Sequence, residues 1–386
     1  MSKNFLIITA FFNYDYPIRI QYLERFLVEK GYNVTILSSD FNHRTKEYFS
    51  PQYKNLKLIH VPEYKKNLSF RRLFSHYIFS RRCKEYCLKH KPDMIYAITP
   101  PNSLFMYLSS VKKKSPGNRL FFEIEDLWPE SLPVPGAIKK ILFPVFEFWK
   151  FFRNHYINCA DSIVFECNLF KNYLSKRMKM KPSLKTIYLT KENYNGFYIK
   201  NLENDVMRIL YLGSINNLID IDFIVTILSE LRESCVVELH IIGGGEQTGK
   251  LIDRCSISNI NVCNHGVIYN EMEKASIICN CHFAINIMKE TVFVGATMKS
   301  LEYFHYGIPV LNNIPGDSET IVKEYGCGFN VDKNNYRDIS RNLYAFVRTD
   351  RFLDMRKKSR RVYEELFCPD AYYNKVDFLI KQEDRI

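Results

Sequence analysis

Nowhere in its 386 residues does the sequence hold an apolar run near the ~18 residues a membrane-crossing helix needs, which excludes a helical membrane span. The opening MSKNFLIITAFF passes at once into Asn13-Tyr14-Asp15 and lacks a small-residue cleavage site. It reads as a buried first strand, not a secretory leader, so the expected location is the cytoplasm. No internal repeat or low-complexity tract is present, which excludes solenoids and disordered tails. The eleven cysteines are scattered, and the close pairs Cys83/Cys87 and Cys279/Cys281 lack partner pairs at zinc-ligand spacing. Reduced core thiols are expected. Neither a Ser/His/Asp set nor a cysteine nucleophile emerges.

What is present describes a globular chain of two domains, with 46% hydrophobic and 25% charged residues. Residues 1–200 hold 33 Lys and Arg against 16 Asp and Glu, or +17, and the remainder 21 against 26, or −5, within a net +12. The basic, aromatic-rich first half suggests an anionic surface, either phospholipid headgroups or nucleic acid. The second half suits a small-molecule binder.

The apolar run Phe5–Phe12, a helical pattern from Ile18 to Lys30 stopped by Gly31, and a second run at Val34–Leu37 open a parallel sheet. Further strands are expected at Leu56–Val61, Met94–Ile98, Leu120–Ile124 and Ser162–Phe165. In Ser69–Lys91, Phe70, Leu73, Phe74, Tyr77, Ile78 and Phe79 alternate with Arg71, Arg72, Arg81, Arg82 and Lys84. Such a helix either lies in a membrane interface or packs on the sheet. Ala137–Tyr156 is apolar around its whole circumference, with Pro144 expected to kink it, and is read as core, the alternative being a second membrane-contacting element. Between these helices, the strand at Leu120–Ile124 runs into Glu125-Asp126-Leu127-Trp128-Pro129-Glu130-Ser131. Asp126 is a candidate carboxylate for an acceptor hydroxyl, with Glu130 behind it; otherwise Asp126 only caps the turn before Pro129.

Lys191–Asn204, with few regularly spaced apolar residues and many asparagines, reads as a linker. Beyond it, Arg208–Gly213 is a strand closing on Gly213-Ser214, and Val236–Ile242 another, ending in Gly243-Gly244-Gly245. Glycines there let backbone N–H groups approach a phosphate. The stretch that organises the chain is Thr297–Val310, TMKSLEYFHYGIPV. Thr297 caps a short helix that Gly307 stops, and Met298, Leu301 and Phe304 form its expected buried side. Lys299 and Glu302 share another side. A lysine in the first turn faces the positive end of the helix dipole, which a nucleotide diphosphate would relieve. Glu302 is placed to accept both hydroxyls of a ribose. The bland alternative is an exposed Lys/Glu pair three residues apart.

This helix, the apolar strand after it and Pro315-Gly316-Asp317-Ser318-Glu319 resemble the nucleotide-sugar signature of GT-B glycosyltransferases of the large retaining "group 1" family, from about Met207 to Asp332. Asp126–Ser131, DLWPES, resembles the same segment in bacterial amino-sugar and O-antigen transferases of that family. The resemblance implies an α/β GT-B fold, two Rossmann-like domains facing across a cleft. Residues 1–190 would face acceptor and membrane, 191–206 link, 207–368 hold the nucleotide-sugar, and 369–386 cross back to the first domain. It implies transfer from a UDP- or GDP-linked sugar to a lipid-linked (polyprenyl diphosphate) saccharide in cell-surface polysaccharide biosynthesis, O-antigen or capsule, with retention.

By that resemblance Gly213, Ser214, Asn216, Gly243, Gly244, Gly245, Val267, Gly295, Thr297, Met298, Lys299 and Glu302 would line the donor, with Asp126 and Lys299 in the chemistry. Arg71, Arg72, Arg81, Arg82, Trp128 and Glu130 would face acceptor and anionic inner-membrane surface. No Asp-x-Asp cluster marks the site, so no catalytic metal is expected. Two departures stand out: Val294 occupies the family's first Glu position, and Asn216 and Asn217 stand where an Arg or Lys usually holds the diphosphate. A non-hydrolysing sugar-nucleotide epimerase, or a catalytically dead partner subunit that binds membrane, are the alternatives. A nucleic-acid binder is disfavoured because the Arg-rich helix carries no reading motif.

Overall fold

The computed structural model describes residues 2–13, 19–67, 69–132, 134, 140–202 and 205–381. The chain divides into two compact units, Met1–Tyr188 with Tyr373–Ile386, and Leu189–Tyr372. Each is built on one parallel sheet.

In the first unit the strands are β1 (Asn4–Thr9), β2 (Asn33–Ser39), β3 (Leu56–Ile59), β4 (Met94–Thr99), β5 (Arg119–Ile124), β6 (Ser162–Phe165) and β7 (Ser183–Thr186), in the order β3-β2-β1-β4-β5-β6-β7. Residues Phe5–Thr9 of β1 are all buried, which is why they form an unbroken apolar run: both faces of a parallel sheet are covered. Helices α1 (Arg19–Glu29), α2 (Phe70–His90), α3 (Ser103–Lys114), α4 (Phe143–Ile157) and α5 (Asn168–Ser175) connect them. Ser69 caps α2 by accepting from the Arg72 N–H, and Lys91 ends it in the left-handed conformation. α3 packs against both α2 and α4.

α4 corrects the sequence reading. Pro144 sits in its first turn, where a missing N–H costs nothing, and a turn at Leu142 parts α4 from the helical residues Lys140 and Ile141, so the expected helix is not one bent rod but is interrupted just before the proline. Residues 137–139 of the expected helix lie outside the described ones. Nor is α4 core: Phe143, Val145, Phe148 and Phe151 are 54 to 67% exposed, and only Arg153 and Ile157 are buried.

The second unit carries β8 (Val206–Ser214), β9 (Val236–Gly244), β10 (Asn261–Asn264), β11 (Phe283–Asn286), β12 (Val310–Asn312) and β13 (Gly328–Asn330), ordered β10-β9-β8-β11-β12-β13. Its helices are α6 (Ile221–Arg232), α7 (Thr248–Ile257), α8 (Glu271–Ile278), α9 (Met298–His305), α10 (Asp317–Tyr325), α11 (Tyr336–Phe346) and α12 (Asp350–Val362), which runs on through a π turn, Tyr363–Phe367. The last helix, α13 (Pro369–Lys381), leaves this unit, and from Tyr373 onward the chain belongs to the first. There the Tyr373 ring stacks on Phe26 at 5.5 Å. Strand order reverses between β8 and β11, the point where open parallel sheets bind ligands beyond their carboxyl ends.

Three register partners, Asn286, Asn312 and Asn330, form an amide ladder across β11, β12 and β13. Asn286 donates to the Asn312 side-chain oxygen and Asn312 to that of Asn330, both at 2.8 Å. Thr297, the cap of α9, donates to Asn286 at 2.9 Å. A buried, satisfied polar ladder of this kind fixes where α9 begins.

Candidate functional site

α9 follows β11 at the switch point. Thr297 is extended and accepts the Ser300 N–H at 3.1 Å, and the chain turns out at Gly307, whose φ is +65°. Its buried face is Ser300, Leu301, Tyr303, Phe304 and His305. Met298, expected inside, is 50% exposed: in the first turn the three-residue stripe has already rotated off the core.

Lys299 and Glu302 do not pair with each other. The Lys299 ammonium donates to the Tyr211 hydroxyl at 2.5 Å and lies 4.3 Å from the centre of that ring. Tyr211 passes its own hydrogen to the Ser214 carbonyl at 2.9 Å, so the lysine is tethered to the end of β8. The Lys299 side chain runs over Gly213, within 3.6 Å of where a Cβ would stand. Among the described residues no carboxylate ion-pairs with it, and burial pushes the ammonium down to about 7. A partly desolvated cation at the positive end of a helix is stabilised by an anion.

Glu302 instead accepts from Lys191 at 2.5 Å, with Lys274 at 3.9 Å from its other oxygen. Both lysines also hold Glu271, at 3.0 Å and 2.8 Å, and Tyr306 donates its hydroxyl to the same carboxylate. Desolvation opposes ionisation of Glu271, but Lys274, Tyr306 and Lys191 together hold its carboxyl at about 2. Glu271, Glu302 and His305 bring ligand atoms within 4.8 Å of one another, the one such group among the described residues. The space between the two carboxylates is taken by ammonium groups, so a metal ion entering there has to displace a lysine.

The glycine loops have a packing task of their own. An added Cβ at Gly243 would meet the Gly213 carbonyl oxygen at 2.2 Å, and at Gly245 that of Ile215 at 2.4 Å. These glycines let the ends of β8 and β9 touch, and the Gly243 N–H is spent on the Gly266 carbonyl. Gly244 likewise gives its carbonyl to the Ile215 N–H, 3.0 Å away. Ser214 and Val267 are exposed, Val267 at 61%. Gly295 is buried, and its carbonyl accepts the Ser318 N–H and hydroxyl at 2.8 and 2.9 Å. Asn216 folds back onto the Leu218 N–H and Asn217 reaches Glu246, so neither replaces the missing cation. Val294 is half-buried, and Glu290 upstream is exposed and pairs with Lys333.

In the first unit three expectations change. Arg72 is buried, not interfacial: its guanidinium lies 4.8 Å from the Trp128 ring and donates to the Asn67 carbonyl at 3.0 Å. Trp128 is also buried, against His76 and Trp149. Glu130 forms a two-pronged ion pair with buried Arg153 at 2.7 and 3.0 Å, which anchors the DLWPES turn to α4 and occupies the carboxylate. Arg71, Arg81 and Arg82 are exposed, Arg81 beside Glu85 and Arg82 donating to the His60 carbonyl. Asp126 keeps access to solvent while crowded by protein; that crowding raises its carboxyl, and Arg72 and Ser131 oppose the rise.

Around Asp126 lies a group of acids that the sequence reading did not assign. Glu123, buried at the end of β5, pairs with Arg19. Burial, then Glu123 and Asp126, pushes Glu125 up to about 8, and Glu166 rises by burial and by Glu125. Lys191, Glu271, Lys274 and Tyr211 were also missed; they stand far from α9 in sequence and belong to no motif.

No protein-family model matches the chain, and no curated protein matches it in sequence. Solved structures do. The sucrose-phosphate synthase of Thermosynechococcus elongatus superposes with a TM-score of 0.71 at 13% identity, covering 100% of both chains. The lipopolysaccharide outer core galactosyltransferase WaaB gives 0.70 at 15%, over 99% of this chain and 100% of that one. HepE of Anabaena, in complex with UDP, gives 0.66 at 12%, over 99% and 100%. At such identities the likeness is one of fold, and the fold of this chain is GT-B, two Rossmann-like units on one polypeptide.

Proposed function

We propose that the chain is a glycosyltransferase of the retaining group 1 type, holding a UDP- or GDP-linked sugar on its second unit. The observation that carries this reading is Lys299: a half-buried cation with no carboxylate partner among the described residues, in the first turn of α9, one turn before a carboxylate held at Glu302. The diphosphate takes Lys299 and the N–H groups of the first turn, and the ribose takes Glu302. As the sugar leaves, Lys299 and the helix terminus stabilise the charge that develops on the diphosphate, which helps deprotonate the acceptor hydroxyl. Solved HepE complexes contain UDP and UDP-glucose, which makes UDP-glucose the first donor to try.

The acceptor is a lipid-linked or saccharide chain in cell-surface polysaccharide biosynthesis. Support for a membrane-borne acceptor comes from exposed Phe70, Phe74, Phe148 and Phe151, with Arg71 and Arg81 also exposed. No described helix is long and apolar enough to cross a membrane. Replacing Arg71 and Arg81 with alanine should weaken binding to anionic vesicles about tenfold or more in a flotation assay, at about 1 kcal/mol per charge. Undiminished binding contradicts the interfacial role.

Turnover needs no metal in this account. Release of nucleoside diphosphate from the accepted donor should continue in excess EDTA; arrest by EDTA, restored by a divalent ion, contradicts it. A second reading draws on the acids around Glu125: a non-hydrolysing epimerase needs several such groups. Product analysis with donor alone separates the two, since an epimerase converts the sugar without acceptor. Val294 in the acidic position favours a third, a binding subunit without catalysis, which binds nucleotide and turns over none.

A further inference from the structure

Lys191 belongs to no motif, yet it is the residue most closely bound to the carboxylate on which the donor reading rests. Its backbone is pinned on both sides: the N–H donates to the Phe367 carbonyl at 3.3 Å, and the Tyr363 hydroxyl donates to the Lys191 carbonyl at 2.8 Å. Neighbouring Thr190 donates to the same Phe367 carbonyl at 2.8 Å. The side chain thus starts from a fixed point at the π turn.

From there the ammonium reaches Glu302 at 2.5 Å and both oxygens of Glu271 at 3.0 and 3.3 Å. It is 84% shielded from solvent and lies 5.4 Å from the centre of the Tyr306 ring. A lysine head has three donors, so Glu271 and Glu302 use its hydrogen-bonding capacity. Each carboxylate oxygen accepts two hydrogen bonds, so the contact at one Glu302 oxygen leaves room for a ribose hydroxyl at each. The lysine does not block the diol; it fixes the plane in which the carboxylate meets it.

We infer that Lys191 is a positioning residue for ribose recognition, orienting Glu302 so that both of its oxygens meet the 2′- and 3′-hydroxyls of the donor nucleotide. This rests on the donor-site reading above. Lys274 supports Glu271 in the same square, and its 3.9 Å separation from Glu302 is too long to substitute.

The test is calorimetry with UDP and GDP and with their 2′,3′-dideoxy forms, on wild type, Lys191→Met, Lys191→Gln and Lys191→Arg. Wild type should prefer the ribonucleotide by tenfold or more. Lys191→Met should lose about tenfold in ribonucleotide affinity with the dideoxy affinity unchanged, so that the preference collapses. Lys191→Arg should restore most of it, and Lys191→Gln, which keeps a neutral donor and guards against a misfolded Met variant, should fall between. A variant that melts as wild type does and keeps the full ribo/dideoxy ratio overturns the role of Lys191 and leaves the donor site standing. Wild type that binds neither diphosphate overturns the donor reading, and this inference with it.

Discussion

Alanine at Glu302 is expected to cut nucleoside-diphosphate affinity by about a hundredfold or more and leave the fold intact. Two charge-assisted hydrogen bonds to a ribose are worth about 1.5 to 3 kcal/mol each, and the variant forfeits both. The fold survives because no charge is left alone. Lys191 keeps Glu271 at 3.0 Å and Lys274 keeps it at 2.8 Å. A dissociation constant for UDP or GDP, measured beside the melting temperature, checks both halves. Unchanged affinity contradicts the ribose role, and a collapsed melting transition contradicts the claim that the network tolerates the loss.

Lys299 gives the second large effect, and it has a pH signature. Burial holds the free ammonium at about 7, well below its ordinary 10.5. A bound diphosphate favours the charged form, so binding above pH 7 takes up a proton and affinity falls as pH rises through and beyond 7. Lys299→Met should lose about tenfold to a hundredfold in affinity at pH 6.5 and lose the proton uptake near pH 8, read from calorimetry in buffers of different ionisation heat. Stability moves oppositely. A lysine with a depressed folded pKa binds fewer protons folded than unfolded between about 7 and 10.5, so it costs stability that is regained as pH rises across that window. The Met variant without ligand should therefore melt higher than wild type at pH 6.5, with the gap closing toward pH 10. A variant less stable at pH 6.5 contradicts the claim that desolvation disfavours the charged lysine.

Local patterns made much of α9 legible. Its cap at Thr297, its stop at Gly307 and the placement of Lys299 and Glu302 on a strand-following helix all depend on neighbours within one or two turns. Partner choice was not legible, because Tyr211 lies 88 residues from Lys299 and Lys191 lies 111 from Glu302. Only the folded sheet brings them together. The i,i+3 geometry allowed a Lys299–Glu302 pair, and stronger long-range partners displaced it.

The same limit explains α4 and Arg72. An apolar helix states that it needs a neighbour, not which one, and α4 leaves much of its apolar surface to solvent while burying Arg153 against Glu130. Arg72 sits among surface arginines in sequence, yet an aromatic box of Phe11, Tyr64 and Trp128 takes its guanidinium inside. The edge strands β7 and β13 are short, half-exposed and without an apolar run, so nothing in their composition marked them.

Hydrogen exchange with and without saturating UDP or GDP, resolved by peptide, reads the donor position directly. Protection should appear together over 211–217 and over 295–303, the end of β8 and the start of α9, and be lost in Lys299→Met. Binding that protects neither segment means the nucleotide lies elsewhere and the assignment of Lys299 and Glu302 is wrong.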